Sequence, residues 1–177
     1  MVSAFSEEKE AIMKQVGLSE DAIREKKFVV VGNKGCGKSS FMQCFLMGNP
    51  LYHEFKTSEP IRKTIGSNDQ VLNLVFCETP SSDSEFDINI RALAYPDSAG
   101  VFLCFAIDDR QSFLEIPKWH EEAKKYAPNA KFFVIGCKMD TRVDDGPVGR
   151  KEGKAMSKSL RAVKYYECSA VVFRNFL

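Results

Sequence analysis

The chain has no apolar run that approaches the length needed to cross a membrane, no block of like charge and no CxxC pair. The first absence excludes a spanning helix. The second, with a formal net charge of +1, excludes the electrostatic footprint of a nucleic-acid binder or a basic membrane-binding face, and leaves a small molecule or another protein as the expected partner. The third matters because there are six cysteines, Cys36, Cys44, Cys77, Cys104, Cys137 and Cys168, and four of them lie in or beside apolar runs. Scattered in this way they are neither a metal site nor a secreted disulfide framework, and they suit a reducing compartment. The N-terminus "MVSAFSEEKEAIMK" carries acids where a signal peptide needs a basic start, so a cytoplasmic location is expected. No internal repeat or low-complexity segment is evident. What is present, 44% hydrophobic and 28% charged residues over 177 positions, is enough for one full core and thus for one domain.

Apolar runs alternate with helix-period stretches. Residues 1 to 26 read as an amphipathic helical extension: Ser6 can cap a helix through Val16, Gly17 can end it, and Ser19 can start another through Glu25. The strand candidates are "KFVVVG", a stretch around Phe55 to Ile65, "QVLNLVFC", "GVFLCFAI", "KFFVIGC" and "KYYECSA". Most are continuous apolar runs, as in strands covered on both faces. Helices are expected over Ser39 to Met47, Asp83 to Ala94, Asp109 to Tyr126 and Lys151 to Val163. In the third, Phe113, Ile116, His120 and Ala123 recur at three-to-four spacing. The pattern predicts an α/β fold: a six-stranded, mostly parallel, doubly wound sheet with helices on both faces and ligands at the carboxyl ends of the strands. At "GSNDQ" a Gly/Asn/Asp turn joins two strand runs, which predicts one antiparallel hairpin at an edge.

"GNKGCGKSS" follows the first strand run directly and opens a helix, the context that a phosphate loop requires. In GxxxxGK[ST] the glycines let backbone N–H groups point at phosphate oxygens, the lysine reaches the outer phosphates and the hydroxyl binds Mg²⁺. Here these are Gly32, Gly37, Lys38 and Ser39. The loop alone does not separate ATP from GTP. Later in the chain, in "VIGCKMD", Asp140 can accept from both the ring N–H and the exocyclic amine of guanine, a pairing adenine cannot make. The Lys138 stem can lie over the purine, and "ECSA" offers the Ala170 N–H to the guanine carbonyl.

From Lys27 onward the chain resembles the small GTPases of the Ras superfamily. The stretch "YPDSAGVFLCFAIDDRQSFLEIPKW" through "PNAKFFVIGCKMDTR" to "ECSA" is most similar to Rho-type members. The segment from Asp140 to Glu167 has no room for the extra helix of Rho proteins and in length resembles Rab or Ras proteins. The resemblance implies a P-loop G domain over residues 27–177 that binds GTP or GDP with Mg²⁺ and is a weak GTPase, in vesicle-traffic or cytoskeletal signalling. It also implies that Asn33, Lys34, Gly35, Cys36, Gly37, Lys38, Ser39 and Ser40 surround the phosphates. Lys38 then serves catalysis and Ser39 the metal, Lys138 and Asp140 take the base, and Ser169 and Ala170 close over it. Effector and regulator proteins would read the surface near Thr57 and Glu78, and the protein would be a monomer.

Against the family pattern several positions depart. Where the family has Asp-x-x-Gly-Gln this chain has "CETPSSDSEF", which puts Glu78 at the acid that holds Mg²⁺ through water, Ser81 at the glycine and Ser82 at the water-orienting glutamine. Serine is too short for that task, so hydrolysis should be very slow. Cys137 stands at the family's asparagine, whose amide ties base to phosphate loop. A thiol is a weak donor and acceptor, and the loss should cost about 1–3 kcal/mol of affinity. Thr57 is the choice for the first-switch threonine on Mg²⁺, with Thr64 the fallback, and Tyr52 can flank the ribose or base. Lys34 stands where the family has a small residue, close to the path of an activating arginine.

After "ECSA" only "VVFRNFL" remains, about two turns of a last helix, with no CaaX box. The expectation is a natural protein that continues, into a lipid-bearing tail that would supply peripheral membrane attachment or into a further domain. Two functions stay open: a slow guanine-nucleotide switch, and a degenerate G domain that holds nucleotide permanently or not at all and serves as an interaction scaffold.

Overall fold

The computed structural model describes residues 23–47, 60–67, 70–144 and 146–172. Tyr52, Thr57, residues 1–22 and residues 173–177 lie outside the described residues, and with them most of the expected N-terminal extension and the end of the last helix. The strands are β1 (Ile23–Gly32), β2 (Ile61–Ser67), β3 (Gln70–Glu78), β4 (Gly100–Ala106), β5 (Lys131–Cys137) and β6 (Lys164–Glu167). The helices are α1 (Lys38–Met47), α2 (Glu85–Ala94), α3 (Arg110–Leu114), α4 (Ile116–Tyr126) and α5 (Arg150–Ser159), with a 3-10 turn at Met139–Thr141.

The sheet order is β2-β3-β1-β4-β5-β6. β1 pairs parallel with both β3 and β4, β5 continues the parallel order to β6, and β2 runs antiparallel to β3 at the edge. This is the expected α/β sheet with its one antiparallel edge hairpin. Because the chain leaves β1 toward β3 on one side and β4 on the other, the carboxyl end of β1 lies where the strand order reverses, the place where such sheets open a crevice. Period-two alternation splits the core in two. Val29 and Val31 pack with Val101, Leu103 and Phe105 against α3 and α4. Val30 faces the opposite way, with Phe76, Cys104 and Ile135, against α1. On that second side Phe76, Phe28, Phe102 and Phe133 form a ladder across four strands, with neighbouring centroids 5.1, 5.6 and 5.2 Å apart. Such pairs add about 0.5–1.5 kcal/mol each beyond area burial.

Three of the boundaries that depart from the expectation have an identifiable cause. β1 begins at Ile23, not Lys27, over residues expected to end a helix: Ile23↔Val71 through Lys26↔Leu74 pair with β3, so the long partner strand overrides the charged, helix-like sequence. The single helix expected from Asp109 to Tyr126 is two, because Pro117 lacks an N–H and its ring would collide with the carbonyl of Phe113 in a continuous helix. Asp109 does cap α3, accepting from the Gln111 and Ser112 N–H groups. α5 stops at Ser159 rather than Val163. Arg161 takes a left-handed φ of 53° and Ala162 N–H returns to the Ser157 carbonyl at 2.9 Å, the terminating bond of a Schellman motif.

Candidate functional site

The loop from Gly32 to Gly37 turns out of β1 into α1 with positive φ at Gly32, Gly35 and Gly37. At Gly32 a side chain is impossible on two grounds: the φ is 145° and a Cβ would stand 2.1 Å from the Cys104 carbonyl oxygen. Lys38 is buried and folds back over the loop, its Nζ donating to the carbonyls of Gly32 at 2.9 Å and Asn33 at 3.0 Å and to Ser81 Oγ at 2.6 Å. Next to it Ser39 Oγ donates to Glu78 Oε1 at 2.8 Å. Burial pushes the Glu78 carboxyl pKa up, opposed by the Ser39 bond and the Lys38 charge. Its second oxygen, Oε2, is sealed from solvent and has no hydrogen-bond partner. A carboxylate oxygen in that position beside a hydroxyl is what a cation satisfies, so Ser39 and Glu78 fit Mg²⁺. Among the described residues no group of three or more His, Cys, Asp or Glu forms a metal cage, in keeping with an ion that takes its remaining ligands from phosphate and water. Lys34 and Ser40 are exposed, and Cys36 is buried with its thiol on the Cys104 carbonyl at 3.4 Å.

Ser82 is not turned to the same use as Ser81. Its hydroxyl donates to Asp87 and accepts from the Ser84 N–H at 3.2 Å at the start of α2, where Ser84 in turn caps the helix by accepting from Asp87 N–H. The loop that carries both serines is gripped from behind. Arg91 of α2, fully buried, donates through Nη1 to the carbonyls of Ser82 at 2.5 Å and Pro80 at 3.4 Å. Its other nitrogens meet Glu122 of α4 in a two-pronged pair at 2.7 and 2.8 Å, and Tyr95 OH donates to the same carboxylate at 2.8 Å. Arg91 lies over the Trp119 ring, 5.0 Å from its centroid, and Trp119 Nε1 donates to Asn33 Oδ1 of the phosphate loop at 2.7 Å. Sequence reasoning missed this assembly; its one trace is an arginine at an apolar spacing in "INIRALAY".

Across the cleft Lys138 follows β5 with a left-handed φ of 59° and pairs with Asp108 at 3.6 Å. Asp140 accepts from Ser169 Oγ, and Ser169 Oγ accepts from the Val172 N–H at 3.1 Å, so the two base-side loops are tied together. The carboxylate of Glu167 lies beneath, taking Arg142 at 2.6 Å and Tyr165 OH at 2.7 Å. Cys137 is buried, and a Cβ on Gly37 would come within 2.9 Å of the Cys137 Cβ: the thiol position packs under the phosphate loop. Hydrogen bonding with Cys104 and burial raise the Cys137 pKa well above its ordinary value, and bonding with Cys137 and burial do the same to Cys168. Both shifts favour the protonated thiol over the reactive thiolate. One cavity of about 460 Å³ joins the two sides, lined among others by Gly37, Lys38, Glu78, Cys137, Lys138 and Asp140. Thr64, the fallback for the first switch, is buried within β2, its hydroxyl on Asn73 Oδ1 at 2.9 Å, and is thus a sheet residue.

The sequence model of the Ras family matches residues 27–176. The chain belongs to the Ras family. Within it the chain is similar to the Rho-related GTP-binding protein RhoE of Homo sapiens, 32% identical over 162 residues that cover 84% of this chain and 66% of that protein. RhoE of Sus scrofa is 31% identical with the same coverage. RhoD of Homo sapiens, also a Rho-related GTP-binding protein, is 31% identical over 166 residues, 86% of this chain and 78% of the relative. The chain thus spans 66% of the length of the RhoE proteins it matches. These relatives are Rho-related, the subfamily that the stretch from Tyr95 to Trp119 resembles. Among the described residues no helix is long and apolar enough to cross a membrane.

Proposed function

We propose that this Ras-family domain binds GTP and GDP with Mg²⁺ and acts as a slow guanine-nucleotide switch. The observation that carries the reading is the single cavity in which Lys38, Ser39 and Glu78 on one side face Asp140 and Lys138 on the other: a cation and phosphate site joined to an acceptor for a purine edge. Lys38 would hold the outer phosphates, and Ser39 and Glu78 would hold Mg²⁺, which when bound neutralises charge on the phosphate oxygens. Asp140, positioned by Ser169, would accept from guanine, and the Ala170 N–H would meet the guanine carbonyl. Slow hydrolysis is supported by the Ser82 side chain, which is shorter than glutamine and has its one proton committed to Asp87. Regulator and effector proteins would read the surface around Thr57 and Glu78, with the domain a cytoplasmic monomer.

The test is nucleotide content by chromatography after purification, followed by GTP single turnover with Mg²⁺. Guanine nucleotide in the parent is expected, with turnover slower than in Ras-type domains. Asp140→Asn should abolish the preference for guanine over other purines, because a donor replaces the required acceptor. A parent that cannot be loaded with GTP or GDP fails this reading and leaves the scaffold; retained guanine preference in the variant fails the base assignment.

A further inference from the structure

The roll of α5 about its own axis is fixed by one contact. Gly153 lies so close to the Tyr165 ring that a Cβ there would stand 2.2 Å from it. Gly153 and Ser157 are buried, and Met156 and Leu160 pack on the core that they face. Lys151, Lys154 and Lys158, spaced three and four apart, therefore emerge as one strip on the solvent side. Arg161, exposed just past the helix end, follows them.

This strip is unmatched in charge. Arg110, Lys118 and Arg142 each have a carboxylate within 2.7 Å, whereas the side chains of Lys151, Lys154, Lys158 and Arg161 have no ion pair among the described residues. The helix has one acid, Glu152, and it is already taken, by Arg110 at 2.7 Å and by the Gly149 N–H at 3.0 Å. Lys154 thus has a like charge three residues before it and another four residues after it, an arrangement that costs a helix stability. A local rule broken with no gain to the fold marks a surface with another use. At the head of the strip a recess of about 530 Å³ is lined by Gly146, Gly149, Arg150, Lys151, Glu152 and Lys154.

We propose that this strip of α5 is a docking surface for an acidic segment of a partner protein, whose carboxylates meet Lys151, Lys154, Lys158 and Arg161. Two features favour a protein segment over an anionic bilayer. A flat lipid surface would leave the recess unused, and between the lysines stand only Ala155 and Met156, the latter turned to the core, with none of the exposed aromatic or large apolar residues that anchor a helix at a bilayer. α5 packs on β5 and β6, at the opposite end of the sheet from β2 and β3. Docking here leaves the surface around Glu78 free and requires no nucleotide.

Fluorescence anisotropy of a labelled oligoglutamate peptide, titrated with the protein at low and at raised salt, tests this. The parent should bind the peptide, and more weakly as salt rises. Lys151→Gln, Lys154→Gln and Lys158→Gln combined should weaken binding at least about tenfold, the worth of three exposed ion pairs, and the same three positions changed to Arg should keep it. Lys124→Gln, Lys125→Gln and Lys131→Gln combined, which remove the same charge from exposed positions elsewhere, should leave binding within about twofold. A parent that does not bind overturns the proposal, and so does an equal loss in the two Gln variants, which would reduce the effect to net charge. Phosphatidylserine vesicles or duplex DNA that displace the peptide from the parent would assign the strip to a bilayer or a nucleic acid and overturn it as well; failure of both to displace it supports the acidic segment.

Discussion

The phosphate side and the base side of the cleft are both braced by a glutamate that takes an arginine and a tyrosine, yet they are braced differently. On the base side Arg142 belongs to the very loop it fixes, and it reaches Glu167 by its own side chain; Arg150 approaches the same carboxylate at 3.8 Å. On the phosphate side Arg91 belongs to α2 and holds its loop only through the carbonyls of Pro80 and Ser82. A grip on main-chain oxygens does not depend on which side chains the loop carries. The loop "TPSSDS" can therefore depart from the family's sequence without losing its place, whereas the base side must keep the residue that anchors it.

Removing each arginine breaks the comparison most directly. Arg91→Ala leaves the partly buried Glu122 without its cation and the Pro80 and Ser82 carbonyls without their donor, and should cost about 3 kcal/mol of unfolding free energy. Arg142→Ala should cost less, about 2 kcal/mol, because Arg142 is more exposed than Arg91 and Arg150 remains near Glu167. Denaturant unfolding measures both, and equal losses would show that the two braces are equivalent.

Cys137→Asn sharpens the contrast from the other direction, by returning an amide that can span the two sides. Its position under Gly37 puts such an amide within reach of the phosphate loop, and guanine-nucleotide affinity should rise about tenfold, read by equilibrium titration. No gain would mean that packing under Gly37 is all this position contributes.

The smallest effect is one of pH. Burial, reinforced by Lys124 and opposed by Glu121, lowers the His120 pKa below its ordinary value of about 6.5. The ring packs edge-on to Phe132 at 4.5 Å. The unfolded chain then takes up a proton more readily than the folded one, so stability falls as pH drops below about 6.5 and levels off below the folded-state value. Unfolding curves at stepped pH should show that decline in the parent and a shallower one in His120→Gln.

The sheet was legible because its strands are unbroken apolar runs between Gly and Asp turns, and the phosphate loop because its glycines answer a local backbone demand. Both are properties of adjacent residues. The start of β1 was not legible, since Arg24, Glu25 and Lys26 are exposed and join the sheet only because β3 is long enough to pair with them. The division between α3 and α4 was present in Pro117 and was overlooked in favour of a continuous apolar period. Ser81 and Ser82 are alike in sequence and adjacent, but Lys38 takes one and Asp87 the other; nothing local to "TPSSDS" distinguishes them, because the decision is made by an arginine on the next helix. The brace itself joins residues from Asn33 to Glu122, and only the fold brings them together.

Trp119 is the chain's single tryptophan, and it is nearly inaccessible to water, with a cation on its face and its N–H on the phosphate loop. Its emission is therefore a label-free optical gauge of the contact between Asn33 and Arg91. Any rearrangement that parts the phosphate loop from α4 changes the polarity around that one fluorophore, with no second indole to mask the signal.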